Sequence, residues 1–277
     1  MKNFDYFKPD SLEEASELLS KFNNALIING GTDMVIRLRN ELVEPEALID
    51  IKNIPGLRDI SEDGNSVTVG SCVTMNEMAH HPLVIDSFKL LCDAVHYVGS
   101  GQVRNLATMT GNICNASPLA DTATPLLVYE AKVLAYSANG KREISICDFF
   151  KGVRRTALEK GEVVTGIKIP KYTEEKGLFK KVSRRKEVDL STVCASVADL
   201  DGNIRIAFGS VAPIPLRARK TEEFLKNNEL TDEVIKEAGK IARTEVSPID
   251  DIRASKEYRL DMVELSVVRG LEEIRGD

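Results

Sequence analysis

The stretch Thr108-Met109-Thr110-Gly111-Asn112-Ile113-Cys114-Asn115-Ala116-Ser117-Pro118-Leu119-Ala120-Asp121 decides how the rest of the chain is read. Amides, hydroxyls and a glycine alternate there with Ile113, Cys114, Ala116 and Leu119, between flanking apolar segments. The composition predicts a long loop over 108–120. A long polar loop inside a compact domain is functional or disordered, and the embedded apolar residues argue against disorder. Asp121 has two readings at this point. It accepts hydrogen bonds from a sugar hydroxyl, or it caps the helix that follows Pro118.

A second glycine-bearing turn, Asn29-Gly30-Gly31-Thr32-Asp33, lies upstream, between the apolar run Ala25–Ile28 and a helical pattern over 34–42. Consecutive glycines let backbone N–H groups approach a ligand without a Cβ in the way. A helix start adds unpaired N–H groups and a field that favours an anion. The turn therefore suits a pyrophosphate, and Thr32 adds a hydroxyl donor. It also reads as a plain tight turn with Thr32 or Asp33 as the helix cap. It is neither G-x-G-x-x-G nor a P-loop, so a nucleotide bound here is bound in another fold.

Around these segments the chain divides in two. Leu12, Ala15, Leu18, Leu19 and Phe22 share a helical face, with Ser11 and Glu14 as a capping box. Strands are expected at 25–28 and 48–51, giving an αβαβ-like opening. A hairpin over 57–73 turns at Glu62-Asp63-Gly64-Asn65, and helices follow at 74–80, 87–98 and 125–130. Strands at 133–137 and 142–146 flank Asn139-Gly140, and 163–169 is a further strand. The polar segment 171–176 is the expected domain boundary. Beyond it, strands at 179–183, 191–199 and 204–211 form an antiparallel meander, followed by helices at 218–227, 231–243 and 256–274. Strands followed by helices indicate a separate α+β unit. The expected domains are 1–172, with subdomains of about 1–55 and 56–172, and 177–277.

The bulk properties narrow the function. In 277 residues, 43% are hydrophobic and 29% charged, an ordinary soluble balance. A net charge of −6 argues against nucleic acid as a partner. No apolar run approaches the roughly 20 residues that span a bilayer. The start, MKNFDYFKPD, lacks a signal peptide's apolar stretch, so a cytoplasmic protein without membrane contact is expected. The five cysteines Cys72, Cys92, Cys114, Cys147 and Cys194 are scattered, without C-x-x-C, and read as free thiols, with no disulfide, zinc or iron–sulfur site in this chain. His80 and His81 are adjacent and point in different directions, and His96 stands apart, so no metal site is expected. No Ser/His/Asp arrangement is evident. Lys180, Lys181, Arg184, Arg185 and Lys186 form a basic stretch that reads as a solvated strand edge.

The pair NGGTD (29–33) and TMTGNICNASPLAD (108–121) resembles the FAD-binding subunit of the molybdenum hydroxylases, the family of xanthine dehydrogenase, carbon monoxide dehydrogenase and nicotinate dehydrogenase. Its usual patterns are a Gly-Gly-Thr/His-Asp/Ser turn and T-x-G-G-N-x-x-x-A-S-P-x-x-D. The resemblance extends to EVVTGIKIP (162–170), FKKVSRRKEVDLSTV (179–193) and PIDDIRASKEYRLDMV (248–263), nearly the whole chain. It implies an α+β fold: an N-terminal FAD-binding domain of two α/β subdomains, similar to the vanillyl-alcohol-oxidase/PCMH type, then a small C-terminal domain of antiparallel sheet and helices.

The resemblance also implies roles. Ile27, Ile28, Asn29, Gly30, Gly31, Thr32, Asp33 and Met34 would wrap the FAD pyrophosphate and ribityl chain. Ala107, Thr108, Gly111, Asn112 and Cys114 would line the second side, and Asp121 would hold an adenosine ribose hydroxyl. Val164 and Lys180 match flavin-proximal positions, and Val98 falls where some relatives set an aromatic residue against the ring. Thr110 departs from the pattern, standing where the family has the first glycine of Gly-Gly. A left-handed backbone there would cost roughly 1–2 kcal/mol, so an ordinary φ is expected, with the hydroxyl free to reach a phosphate. The implied partners are a molybdopterin-binding large subunit and a small subunit with two [2Fe–2S] clusters, which passes electrons to FAD and on to an acceptor such as NAD+. Two other readings stay open: a stand-alone FAD-dependent oxidoreductase, and a flavin-free structural subunit.

Overall fold

The computed structural model describes residues 2–276. The chain begins β1 (Asp5–Phe7), α1 (Leu12–Lys21), β2 (Ala25–Ile28), α2 (Met34–Arg39) and β3 (Ala47–Asp50). The strands form a parallel sheet in the order β1-β3-β2. Ala47, Leu48 and Ile49 are all buried, as a central parallel strand covered on both faces requires. That burial is why the segment shows no alternation in sequence. Ser11 Oγ accepts the Glu14 N–H at 3.1 Å and starts α1, which packs Ala15, Leu18 and Leu19 over Ile49 and Ile51.

The second part runs β4 (Ile60–Glu62), β5 (Ser66–Gly70), α3 (Met75–Ala79), α4 (Pro82–Ser87), α5 (Lys89–His96), α6 (Gly101–Arg104), α7 (Met109–Cys114), α8 (Ala123–Val128), β6 (Lys132–Ser137), β7 (Gly140–Ser145), α9 (Ile146–Phe149), β8 (Phe150–Gly152), β9 (Arg155–Thr156) and β10 (Val163–Pro170). Its five-stranded sheet has the order β4-β5-β10-β6-β7 and is antiparallel. The helices between β5 and β6 cover it, with Met75, Leu91, Met109, Ile113 and Leu126 in one core with Val67, Val133 and Ile167. The expected loop over 108–120 is corrected here, because 109–114 is helical. Thr108 caps its start, and Met109 and Ile113, four apart, anchor its buried side. The polar composition comes from Gly111 and Asn112 on the more open side and from Thr110, which is itself buried.

The third part consists of β11 (Glu175–Val182), β12 (Val193–Leu200), β13 (Asn203–Gly209), β14 (Leu216–Arg217), α10 (Arg219–Lys226), α11 (Asp232–Arg243) and α12 (Lys256–Arg275). The sheet order is β11-β12-β13-β14, antiparallel throughout. One face packs on α10 and α12, with α11 packed against those two helices. Gly270 of α12 sits so close to Val197 that a Cβ would lie 2.5 Å from its side chain. The other face packs on the second part, where Ser196 Oγ donates to Thr124 Oγ1 at 2.9 Å. β12 is thus covered on both faces. The polar segment 171–176 is only partly a linker: β11 already begins at Glu175, whose half-buried carboxylate accepts the Tyr129 hydroxyl at 2.8 Å and the Leu90 N–H at 3.0 Å.

Candidate functional site

The turn 29–33 lies between β2 and α2. Gly31 has φ +72°, a left-handed backbone. Gly30 is required for a different reason, since a Cβ there would lie 1.9 Å from the Leu106 carbonyl oxygen. The turn is therefore pressed against the residues that lead into α7. Among the described residues, no protein acceptor meets the N–H groups of Gly30, Gly31, Thr32 or Asp33. Asp33 occupies the cap position of α2 but makes no capping bond. Its carboxylate instead accepts the Asn115 side-chain amide at 2.8 Å. The plain-turn reading accounts for the left-handed Gly31, but Asp33 does not close the helix start with a side-chain bond. A run of successive free N–H groups is a concavity for an anion.

The second segment is tied to the first at both ends. Thr108 Oγ1 accepts the Gly111 N–H at 2.9 Å and receives the Asn29 side-chain amide at 3.2 Å. Asn29 Nδ2 also donates to the Ser71 carbonyl at 2.5 Å. One hydroxyl thus caps α7 and docks the neighbouring turn. Ala107 is buried, and its carbonyl accepts the Met75 N–H at 2.8 Å. Asn112 Oδ1 accepts the Thr122 hydroxyl at 2.7 Å. A cleft of about 190 Å³ opens beside these turns, lined by Asn29, Gly30, Lys52, Arg58, Leu106 and Thr108. Lys52 Nζ donates to the Asn29 carbonyl at 3.3 Å and pairs with Asp50 at 2.8 Å, so positive charge borders the turn.

The remaining expected positions divide by what their side chains touch. Ile27 and Ile28 point into cores on the two faces of the parallel sheet, so they reach the turn only through backbone. Met34 packs against Ile28. Val98 and Val164 belong to the main core, Val164 just before an irregularity in β10. Cys114 is half-buried, and loss of hydration pushes its thiol up to about 12, which makes it unreactive. Thr110 has ordinary helical backbone, as expected from the sequence. Its hydroxyl, however, is enclosed by protein and meets no partner among the described residues.

Asp121 is not a helix cap; Thr122 holds that position at α8. The Asp121 carboxylate is buried at the seam between the second and third parts. Its Oδ2 pairs with Lys181 Nζ at 2.7 Å, and its Oδ1 accepts the Ser191 hydroxyl. Burial pushes the carboxyl up, and the Lys181 ammonium opposes that. Lys181 also donates to the Tyr97 carbonyl at 3.0 Å. Side chains alternate along a strand. Phe179, two residues before Lys181, packs in the N-terminal core, and Val182 packs in the C-terminal one. Lys180 therefore lies on the face of β11 away from Asp121. The residues not foreseen are Ser71, Asn115, Lys181 and Ser191. A two-residue period shows that Lys180 and Lys181 face opposite ways, but not which of them faces inward. His80 and His96 each bond back to a carbonyl of their own helix, at 2.7 Å.

The family model described as FAD binding domain in molybdopterin dehydrogenase matches residues 2–172, and the CO dehydrogenase flavoprotein C-terminal domain matches residues 178–274. The xanthine dehydrogenase FAD-binding subunit of Escherichia coli O157:H7 is 32% identical, over 97% of this chain and 94% of its own length. The glyceraldehyde dehydrogenase medium chain of Sulfolobus acidocaldarius is 30% identical, over 98% of each. Among solved structures, a chain of carbon monoxide dehydrogenase from Hydrogenophaga pseudoflava superposes with a TM-score of 0.94 at 30% identity, covering 98% of this chain and 97% of that one. No helix among the described residues is long and apolar enough to cross a membrane.

Proposed function

This chain belongs to the FAD-binding subunits of the xanthine dehydrogenase and carbon monoxide dehydrogenase family, and from that premise we propose that it is the electron-transfer component of a molybdenum hydroxylase complex. Its partners are a molybdopterin-binding large subunit and a small subunit with [2Fe–2S] clusters, and the final acceptor is a soluble carrier such as NAD+. The relatives' names span a purine, an aldehyde and carbon monoxide as substrates of whole complexes, so substrate choice belongs to a partner.

The observation that carries the reading is the turn 29–33, where four successive N–H groups lack protein acceptors beside the capped start of α7. Those donors fit a diphosphate, and Gly30 leaves no Cβ between the two backbones. Residues 27–34 then bind the pyrophosphate and ribityl chain from one side. Ala107, Thr108, Gly111, Asn112 and Cys114 form the other, and Asp121 holds a sugar hydroxyl. Val98, Val164 and Lys180 are assigned to the ring end, Lys180 through its backbone, since its side chain lies on the other face of β11. Thr110 contributes helix backbone only. When bound, FAD supplies a carrier that accepts electrons singly and releases them in pairs, while the protein binds and orients it.

Isolation of the chain with its natural partners tests this reading. Flavin, iron–sulfur and molybdenum are expected in one complex, with flavin absorbance bleached on addition of that complex's substrate. A chain that purifies alone and by itself oxidises an organic substrate would overturn the proposal.

A further inference from the structure

Lys181 and Asp121 form a buried ion pair that the binding turns alone do not explain. Their side chains are 4% and 8% exposed. Removing two charges from water is costly, and a buried pair often contributes little net stability. Fold stability alone is thus a weak reason for it. The pair joins β11 of the third part to the residue just before α8 of the second. Around it stand the Ser191 hydroxyl and the Cys194 thiol from the β12 side, and the Tyr97 carbonyl after α5. Lys181 and Cys194 are the titratable groups facing Asp121, and burial holds the Cys194 thiol well above its ordinary range, hence neutral. Each Asp121 oxygen has spent one lone-pair direction on protein, which leaves the others for a ligand hydroxyl.

We propose that Lys181 is the positioning residue of the cofactor site, fixing Asp121 as a carboxylate whose free lone pairs accept a sugar hydroxyl of FAD. The proposal rests on the flavoprotein reading above. Lys181 touches no cofactor in this account; it acts through Asp121. A carboxylate left in the same surroundings without its ammonium takes up a proton. The hydroxyl then loses its charged acceptor, and binding becomes linked to pH.

The test is FAD titration of the full chain, freed of flavin, at several pH values. Wild type is expected to bind FAD with an affinity that is flat between about pH 6 and 8.5. Lys181→Met binds about 10- to 100-fold more weakly at the acid end, the worth of a charge-assisted hydrogen bond, and tightens as pH rises. The double variant Lys181→Met/Asp121→Asn carries no buried charge. It binds weakly at every pH, and it provides the test should Lys181→Met alone not fold. A merely structural Lys181 would lower the melting temperature and leave the pH profile flat. Near-wild-type FAD affinity with a flat profile in either variant overturns the role of Lys181. A wild-type chain that takes up no FAD overturns the flavoprotein reading as well, so the two failures are distinct.

Discussion

Thr110 departs from the family pattern in its side chain while keeping ordinary helical backbone. Its backbone is helical and its hydroxyl is enclosed without a partner. A buried donor without a protein acceptor costs free energy. Thr110→Val keeps the shape and removes the hydroxyl. It is expected to raise stability by about 1 kcal/mol and to leave FAD affinity unchanged, as chemical denaturation and flavin titration would measure. Weaker FAD binding in this variant would mean that the hydroxyl reaches the cofactor. At this scale the sequence was only partly legible. Gly30 and Gly31 read as a site for backbone approach, but not that Gly30 meets the Leu106 carbonyl. Lys180 and Lys181 could not be told apart, because the phase of an edge strand is set by the layer it packs on.

At the scale of elements, the segment before α12 is held by a buried arginine. Arg259 donates to the Thr192 carbonyl at 2.6 Å, the Ser210 carbonyl at 3.1 Å and Asp251 Oδ1 at 2.7 Å. Burial alone would raise the Asp251 carboxyl, but the Arg253 N–H and the Arg259 guanidinium outweigh it and hold it at about 2. A depressed carboxylate contributes stability above its ordinary value, and that contribution is lost as pH falls through the folded one. Asp251→Asn is therefore expected to destabilise the protein by about 2 kcal/mol at neutral pH. The difference from wild type should shrink between about pH 4 and 2, as thermal melts across that range would show. A gap that stays constant to pH 2 would remove the ion pair as its cause. The motif PIDDIRASKEYRLDMV was visible in sequence, and its distinction between a paired Asp251 and a capping Ser255 was not. The helix α7 was hidden for a related reason. Thr, Asn and Gly are poor helix formers, and here one cap and two buried anchors override their preference.

The whole molecule is organised by the seam between its halves. Tyr129 with Glu175, Thr124 with Ser196, and Asp121 with Lys181 all cross it. Arg217 Nη1 crosses it too, donating to the Leu127 carbonyl at 3.1 Å, while its Nε reaches Glu222 at 2.5 Å. The division of the sequence into an α/β part and a strands-then-helices part was legible from the change of pattern near residue 171. The seam was not, because its partners lie tens of residues apart. On the proposed function, the turn 29–33 and the start of α7 together read a diphosphate. The measurement that tests it most directly compares binding of FAD and FMN by the full chain. FMN carries the same ring and ribityl chain but a single phosphate and no adenosine. The account predicts one FAD per chain and FMN binding weaker by at least about 100-fold, the worth of several hydrogen bonds from charged or preorganised groups. It also predicts that Gly30→Ala, whose Cβ would meet the Leu106 carbonyl, erases most of that preference. Equal affinity for the two flavins, or no uptake of either, would contradict it.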